Sequence, residues 1–154
     1  MRVGEFLKHS QQQLVTCGPD DSLVAAAQLL RKHAIGAMPV CESGPASRLL
    51  GIISERDLVR ALASDARNLS GMRVRDLMTT EVIGCAPGET MQAAQDRMRA
   101  HRFRHLPVLE GERLLGILSI RDTLASRIEE SRREIDILRE FAVAARCLPV
   151  ERVD

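Results

Sequence analysis

One twelve-residue stretch occurs twice in this chain of 154 residues, and it constrains the fold more than any other feature. The first copy, Leu49 to Arg60, reads LLGIISERDLVR, and the second, Leu114 to Ala125, reads LLGILSIRDTLA. The copies lie 65 positions apart and share seven identical positions. Each begins as an apolar strand and continues from a serine into a helix, because a serine hydroxyl can accept a hydrogen bond from a free amide at a helix start. The repeat therefore predicts two copies of one strand-to-helix corner.

Other segments repeat in the same order around this corner. The predicted order is a helical lead-in, a short strand closed by proline, a helix, a second strand that contains Pro-Val, and then the corner. The equivalent segments are 1–8 with 72–78, 14–19 with 82–87, 22–33 with 90–101, and 33–40 with 101–108. The loop before the corner is three residues longer in the first copy, which a surface hairpin tolerates.

Each repeat is too small, at about 60 residues, to be comfortably stable alone, so the two should share one core. The sequence predicts an α/β (α+β) fold with two strand-helix-strand-strand-helix repeats, packed face to face with pseudo-two-fold symmetry. We place the first repeat at 1–70, the second at 71–127, and a C-terminal extension at 128–154.

The C-terminal segment differs from the repeats. From Thr123 to Arg146 it contains no proline or glycine, and apolar residues recur among Glu and Arg, which predicts one long amphipathic helix. Its apolar stripe comprises Leu124, Ile128, Ile135, Leu138, Phe141 and Ala145. This stripe needs a partner, and the sequence leaves three open: a second subunit, a client protein, or the rest of its own chain.

The composition disfavours several classes of function. Lys and Arg number 22 against 21 Asp and Glu, so the net charge of +1 creates no global field for nucleic acid or an acidic membrane. The chain has no Trp, no Tyr and three Phe, and so lacks the stacking platforms of many single-strand nucleic-acid binders. An apolar run long enough to span a membrane is missing, and the first residues are too polar for a secretion signal.

The four cysteines, Cys17, Cys41, Cys85 and Cys147, form no CxxC pair. They predict reduced thiols in a cytoplasmic protein and no metal site. His101 and His105 are four residues apart, but no third ligand is near them in the sequence.

The tandem Gly-apolar-apolar-Ser-x-x-Asp corners, each preceded by an apolar-Pro-Val strand, resemble the cystathionine-β-synthase (CBS) domain pair, or Bateman module. The resemblance covers residues 1–127 and is closest to small bacterial stand-alone CBS-pair proteins, whose second unit ends in Ser-Ile-x-Asp, as Ser119-Ile120-Arg121-Asp122 does. It implies a regulatory protein that binds AMP, ADP, ATP, NAD(H) or an S-adenosyl ligand between the repeats. It also implies a disc-shaped homodimer, with no other cofactor.

The resemblance also implies which residues contact the ligand. Asp57 and Asp122 would bind ribose hydroxyls, because a carboxylate has two acceptor oxygens for a cis-diol. Ser54 and Ser119 would lie near a phosphate or ribose, and Arg56 and Arg121 would bind phosphate. The remaining predicted contacts are Thr16, Ala37, Met38, Pro39, Arg104, His105, Leu106, Pro107 and Ile120. Arg104 and His105 have no charged equivalents in the first repeat, so the second pocket should be the more cationic one.

Each assignment has a structural alternative. Ser-x-x-Asp is also a helix-capping arrangement, packing alone could explain Met38 and Leu106, and His105 could serve an interface. The functional alternatives are a ligand-independent dimerisation scaffold for a partner protein and an enzyme. The sequence shows no nucleophile–base pair, carboxylate dyad or metal cluster, so we predict that it is not an enzyme.

Overall fold

The computed structural model describes residues 1–10, 13–65 and 68–146. The predicted mixture of helix and strand in two repeats is confirmed. The elements are, in chain order, α1 (Val3–His9), α2 (Leu23–His33), β1 (Ala37–Cys41), β2 (Leu49–Ser54), α3 (Glu55–Asp65), a short 3₁₀ turn (Leu69–Gly71), α4 (Val74–Leu77), α5 (Met91–His101), β3 (His105–Glu110), β4 (Arg113–Ser119) and α6 (Ile120–Arg146). Cys147 and the rest of the tail lie outside the described residues.

Two antiparallel hairpins, β1–β2 and β3–β4, form the sheets of the two repeats. They meet where their second strands begin. The amide of Leu49 donates to the carbonyl oxygen of Glu112, and the amide of Leu114 donates to that of Ser47, each over 3.1 Å. This reciprocal pair of bonds relates the repeats by pseudo-two-fold symmetry.

The helices that precede the hairpins form as predicted. Ser22 caps α2 and Thr90 caps α5, each side-chain oxygen accepting a hydrogen bond of 3.1 Å from an amide three residues later. Each helix is followed by a residue in the left-handed conformation, Ala34 after α2 and Arg102 after α5. Their buried residues include the matched sets predicted from periodicity, Leu23, Ala26 and Leu30 in α2 and Met91, Ala94 and Met98 in α5.

The short strands predicted at 14–19 and 82–87 are wrong in extent. Each segment makes one parallel bridge, from Cys17 to Val40 and from Cys85 to Val108. The chain turns at the proline just after each bridge, so the pairing does not extend further along the hairpin.

The lead-in helices exchange between the repeats. Val3 of α1 is fully buried in the core of the second repeat, and Val74 of α4 is fully buried in the core of the first. Their amides confirm the exchange, because Val3 donates to Glu89 and Val74 donates to Asp21, each over 2.9 Å. The division predicted at residue 70 follows the order of the chain, whereas in space each repeat is completed by the other's lead-in helix.

Helix α6 is one continuous helix of 27 residues, as the sequence predicts. Its first turns pack on the second repeat and bury Thr123 and Ser126. Every residue from 131 to 145 is exposed. The alternative that the apolar stripe packs back on its own chain therefore fails beyond the first turns. Within the described residues, no helix is both long and apolar enough to cross a membrane.

Candidate functional site

A cavity of about 440 Å³ lies between the two repeats at the first strand-to-helix corner. The first repeat contributes the start of β1, the end of β2 and the first turns of α3. The segment after α4 and the turn before β3 supply the rest. The cavity is lined by Gly36, Ala37, Ile52, Ser54, Glu55, Arg56, Asp57, Arg60, Thr79, Glu81, Val82, Ile83, Arg102, Phe103, Arg104 and His105.

The corner itself is a reciprocal cap. The hydroxyl oxygen of Ser54 accepts a hydrogen bond of 3.3 Å from the amide of Asp57, and the amide and hydroxyl of Ser54 both donate to Oδ2 of Asp57. Ser119 and Asp122 make the same three bonds, at 3.2, 2.6 and 2.7 Å. The capping alternative is therefore correct at both corners, because each carboxylate closes the start of its own helix.

Capping uses only one oxygen of Asp57. Oδ2 accepts both bonds from Ser54, and within the described residues Oδ1 of this half-buried side chain accepts none. Asp57 also lines the cavity. The same carboxylate can therefore cap α3 and still accept a hydrogen bond from a ligand.

Four arginines line the cavity: Arg56, Arg60, Arg102 and Arg104. No ion pair within the described part of the chain engages any of them. The three carboxylates of the lining are Glu55, Asp57 and Glu81, so the positive charges outnumber the negative ones. Guanidinium groups without partners suit a phosphate, which they can bind through two parallel hydrogen bonds.

The apolar part of the lining comprises Ile52, Val82, Ile83 and Phe103. Two hydrogen bonds of 2.9 and 3.0 Å between the backbones of Thr79 and Ile52 fix the segment that carries Val82 and Ile83. Gly51 permits this pairing, since a Cβ there would lie 2.7 Å from the carbonyl oxygen of Thr79. These side chains offer a flat planar ligand an apolar surface next to the arginines.

His105 links the two corners. Its Cε1 lies 3.3 Å from the position that a Cβ on Gly36 would occupy, so its ring packs against the first repeat. Burial lowers the pKa of His105, and Arg104 and Arg121 lower it further, whereas Asp122 and Glu55 act to raise it. The neutral imidazole therefore lies between the charges of both corners.

Six of the predicted site residues line this cavity: Ala37, Ser54, Arg56, Asp57, Arg104 and His105. Arg104 and His105 correct the sequence-based expectation of a more cationic second pocket. They line the cavity of the first corner because the turn before β3 faces the first repeat across the gap.

Met38 and Pro39 are buried in β1, away from the cavity lining, and Met38 belongs to the core of the first repeat. Leu106 and Pro107 are likewise buried in β3. Met38 and Leu106 therefore have packing roles in the structure. Thr16 is half-buried and is not part of this lining.

The second corner carries the other predicted residues, Ser119, Ile120, Arg121 and Asp122, which do not line the described cavity. Asp122 is only 9% exposed, while Arg121 is exposed on the surface. A ligand contact at this corner stays a prediction.

Sequence reasoning did not place Thr79, Glu81, Val82 and Ile83 in the site. Residues 82–87 read as the strand of the second repeat, and nothing local shows that the chain before it pairs with Ile52 of the first. Arg60 had a usable signal, since it follows Arg56 by four residues and so lies on the same face of α3.

Within the described residues, no group of three or more His, Cys, Asp or Glu side chains is placed to hold a metal ion. Cys17, Cys41 and Cys85 are buried thiols outside the cavity lining, and none forms a disulfide within the described residues.

A family model described as "CBS domain" matches residues 3–64 and again residues 74–128. The chain is 32% identical over 127 residues to the mitochondrial CBS domain-containing protein CBSX3 of Arabidopsis thaliana, a match that covers 81% of this chain and 62% of that protein. Among solved structures, it is similar to the CBS-domain-containing protein ATU1752 of Agrobacterium tumefaciens, with 38% identity and a TM-score of 0.73. That similarity covers 82% of this chain and 92% of the other.

Several similar structures contain adenosine compounds, and two examples follow. The CBS domain protein PAE2072 of Pyrobaculum aerophilum, solved with AMP, is 26% identical, with a TM-score of 0.69 over 79% of this chain and 89% of that one. The CBS domain pair of protein MJ0100, solved with 5′-methylthioadenosine and S-adenosyl-L-methionine, is also 26% identical, with a TM-score of 0.69 over 86% and 98% of the two chains.

Proposed function

This chain belongs to the CBS-domain family, and on that premise we propose that it is a regulatory protein that binds an adenosine nucleotide in the cavity between its repeats. The observation that carries the proposal is the presence in one cavity of Asp57 and four arginines that have no ion-pair partner among the described residues. A volume of about 440 Å³ is within the usual range of small-molecule sites.

Each part of a nucleotide has a matching surface. Oδ1 of Asp57 can accept from a ribose hydroxyl while Oδ2 keeps its bonds to Ser54. The arginines suit the phosphate, and the surface formed by Ile52, Val82, Ile83 and Phe103 suits the base. The adenosine group is shared by the ligands of the two similar structures. AMP is therefore the first ligand to test, followed by ADP, ATP, NAD(H) and S-adenosyl-L-methionine.

Calorimetric titration with AMP tests the proposal. Asp57→Ala should weaken binding at least tenfold, since a hydrogen bond to a charged group contributes about 1.5–3 kcal/mol. The matched control is Asp76→Ala, because Asp76 caps α4 through the amide of Arg73 over 2.7 Å but lies outside the cavity. No binding of any of these ligands to the unmodified protein, or equal affinities for Asp57→Ala and Asp76→Ala, would contradict the proposal.

Comparison of AMP with adenosine tests the role of the arginines. Arg104→Ala should weaken AMP binding by about tenfold and leave adenosine binding nearly unchanged, because only the phosphate loses a charge-assisted bond. Arg132→Ala, in the exposed part of α6, is the control for the loss of one positive charge. Equal losses for AMP and adenosine would assign Arg104 a structural role instead.

A ligand-independent dimerisation scaffold is the second candidate function, and a specific observation favours it. Val59 and Leu62 on α3 are 63% and 55% exposed, and the repeat pairs Val59 with the exposed Leu124 of α6. Exposed apolar side chains on equivalent helices of both repeats suit a homodimer face. Sedimentation equilibrium of Val59→Glu checks this face, because the variant should dimerise more weakly than the unmodified chain. The unmodified chain remaining monomeric would rule out the face.

The two candidates are compatible, since a nucleotide at the gap between the repeats can alter how a client protein or a second subunit reads the surface. We propose that the protein acts by binding its ligand and that it does not catalyse a reaction.

A further inference from the structure

The exposed part of α6 carries a heptad pattern. Counting from Ile128 as position a, the a and d positions are Ile128, Ser131, Ile135, Leu138, Ala142 and Ala145. Two-stranded parallel coiled coils favour β-branched residues at a and leucine at d, which is the pattern at Ile135 and Leu138. Spacings of three and four residues keep this row on one face of the helix.

This row has no partner within its own described chain. Ile128, Ile135 and Leu138 are 55%, 47% and 67% exposed. The helix from Ser131 onward is exposed on all sides, and at 1.5 Å per residue that stretch extends about 20 Å past the body of the second repeat. A row of this length on a projecting helix fits another helix better than a flat surface.

The charges beside the row favour a second copy in parallel orientation. Glu134 occupies a g position and Arg139 the following e position, so in a parallel pair each Glu134 faces the other copy's Arg139. Two such attractive contacts form by symmetry. An antiparallel pair in register would instead bring Arg132 of one copy to Arg139 of the other, which is repulsive. Arg127 is also at a g position, but its side chain donates to Gln95 of α5 over 3.4 Å and is therefore turned away from the face that would meet the second copy.

We propose that residues 128–145 of α6 form a parallel two-stranded coiled coil with the same segment of a second copy of this chain. The inference does not depend on nucleotide binding. It also sets the geometry of the dimer, because parallel helices that continue from the second repeats place both second repeats at the same end.

Disulfide trapping of the full chain tests the proposal. In a Cys147→Ser background, Leu138→Cys places a thiol at a d position, where the two copies of a parallel pair are close enough to bridge. The control is Ile137→Cys, one residue away on the outer face and 52% exposed. Mild oxidation should link Leu138→Cys into dimers quickly and Ile137→Cys poorly. Equal rates for the two variants, or no linkage of either, would overturn the proposal.

Charge reversal separates the parallel pair from other occupants of this face. In the Leu138→Cys background, Glu134→Arg or Arg139→Glu alone should slow linkage about fivefold, because two exposed pairs turn from attractive to repulsive. The double reversal should restore the rate. If the double reversal does not restore the linkage rate, this face of α6 binds an antiparallel copy or a client helix instead, and the proposal is wrong. The trapping rate reports on α6 and Val59→Glu reports on α3, so failure of either interface is distinguishable from failure of nucleotide binding.

Discussion

The amide and the hydroxyl of Ser54 both donate to Oδ2 of Asp57, each over 2.8 Å. This arrangement gives two hydrogen-bond donors at the start of α3 an acceptor, and it holds the carboxylate at the edge of the cavity. Ser119 repeats it with Asp122, but the described cavity contains only the first of the two carboxylates. Capping a helix and lining the cavity are therefore separable properties of the same motif.

Removal of the cap hydroxyl should cost stability. We expect Ser54→Ala to lower the free energy of unfolding by about 1 kcal/mol, because the amide of Asp57 loses its acceptor and Oδ2 loses one donor. Urea denaturation measures this loss. The control is Ser70→Ala, an exposed serine in the 3₁₀ turn, which should stay within about 0.5 kcal/mol of the unmodified protein. Indistinguishable midpoints for the two variants would show that the cap contributes nothing measurable.

The close approach at Gly51 should make this position intolerant of a side chain. We expect Gly51→Ala to destabilise the protein by about 1–3 kcal/mol, since its Cβ would lie 2.7 Å from a backbone oxygen of Thr79 that cannot rotate away. Displacement of Thr79 by the added Cβ should also weaken AMP binding, because Thr79 leads into the segment that lines the cavity. Gly88→Ala is the control, with nothing within 4 Å of the added Cβ. Equal thermal midpoints for both variants would contradict this prediction.

His105 should make stability fall on acidification. Its pKa is lowered in the folded protein, chiefly by burial, so the unfolded chain binds the proton more tightly. Its contribution to stability is therefore present above the ordinary histidine pKa of about 6.5 and is lost as the pH falls from there toward the folded-state pKa. His105→Gln should show a smaller loss of stability between about pH 7.5 and 5.5 than the unmodified protein, measured by urea denaturation.

The control for that pH series is His33→Gln, at the end of α2 and outside the cavity. A pH dependence of His105→Gln as steep as that of the His33→Gln protein would show that other groups cause the effect.

The described cysteines should be unreactive in the folded protein. Burial raises the pKa of Cys17 to about 12 and that of Cys85 to about 11, and it also raises the pKa of Cys41. Because the thiolate is the reactive form, iodoacetamide should modify none of them appreciably at pH 8 in a Cys147→Ser chain. Unfolding in urea should expose all three, as counted by mass spectrometry. Full modification of the native chain would contradict the prediction. The cytoplasmic location expected from these cysteines stays a prediction.

Local patterns were enough to predict the repeated elements. The helices at α2 and α5 follow from periodic apolar residues and a capping Ser or Thr, both of which act within a few residues of the chain. The same holds for the two Ser-x-x-Asp corners and for the long α6, whose sequence contains no helix breaker. Each depends on interactions between residues close in sequence.

The exchange of lead-in helices and the pairing of Thr79 with Ile52 depended on the tertiary structure. So did the position of Arg104 and His105 at the first corner instead of the second. These features join residues that are far apart in the chain. Because the two repeats have similar sequences, the sequence does not show whether a segment contacts its own repeat or the equivalent surface of the other one. The amino-acid sequence by itself determined two similar units and the chemistry each can offer. Only the packing of one unit against the other decided which side chains share a cavity, because that choice depends on which buried surfaces fit together.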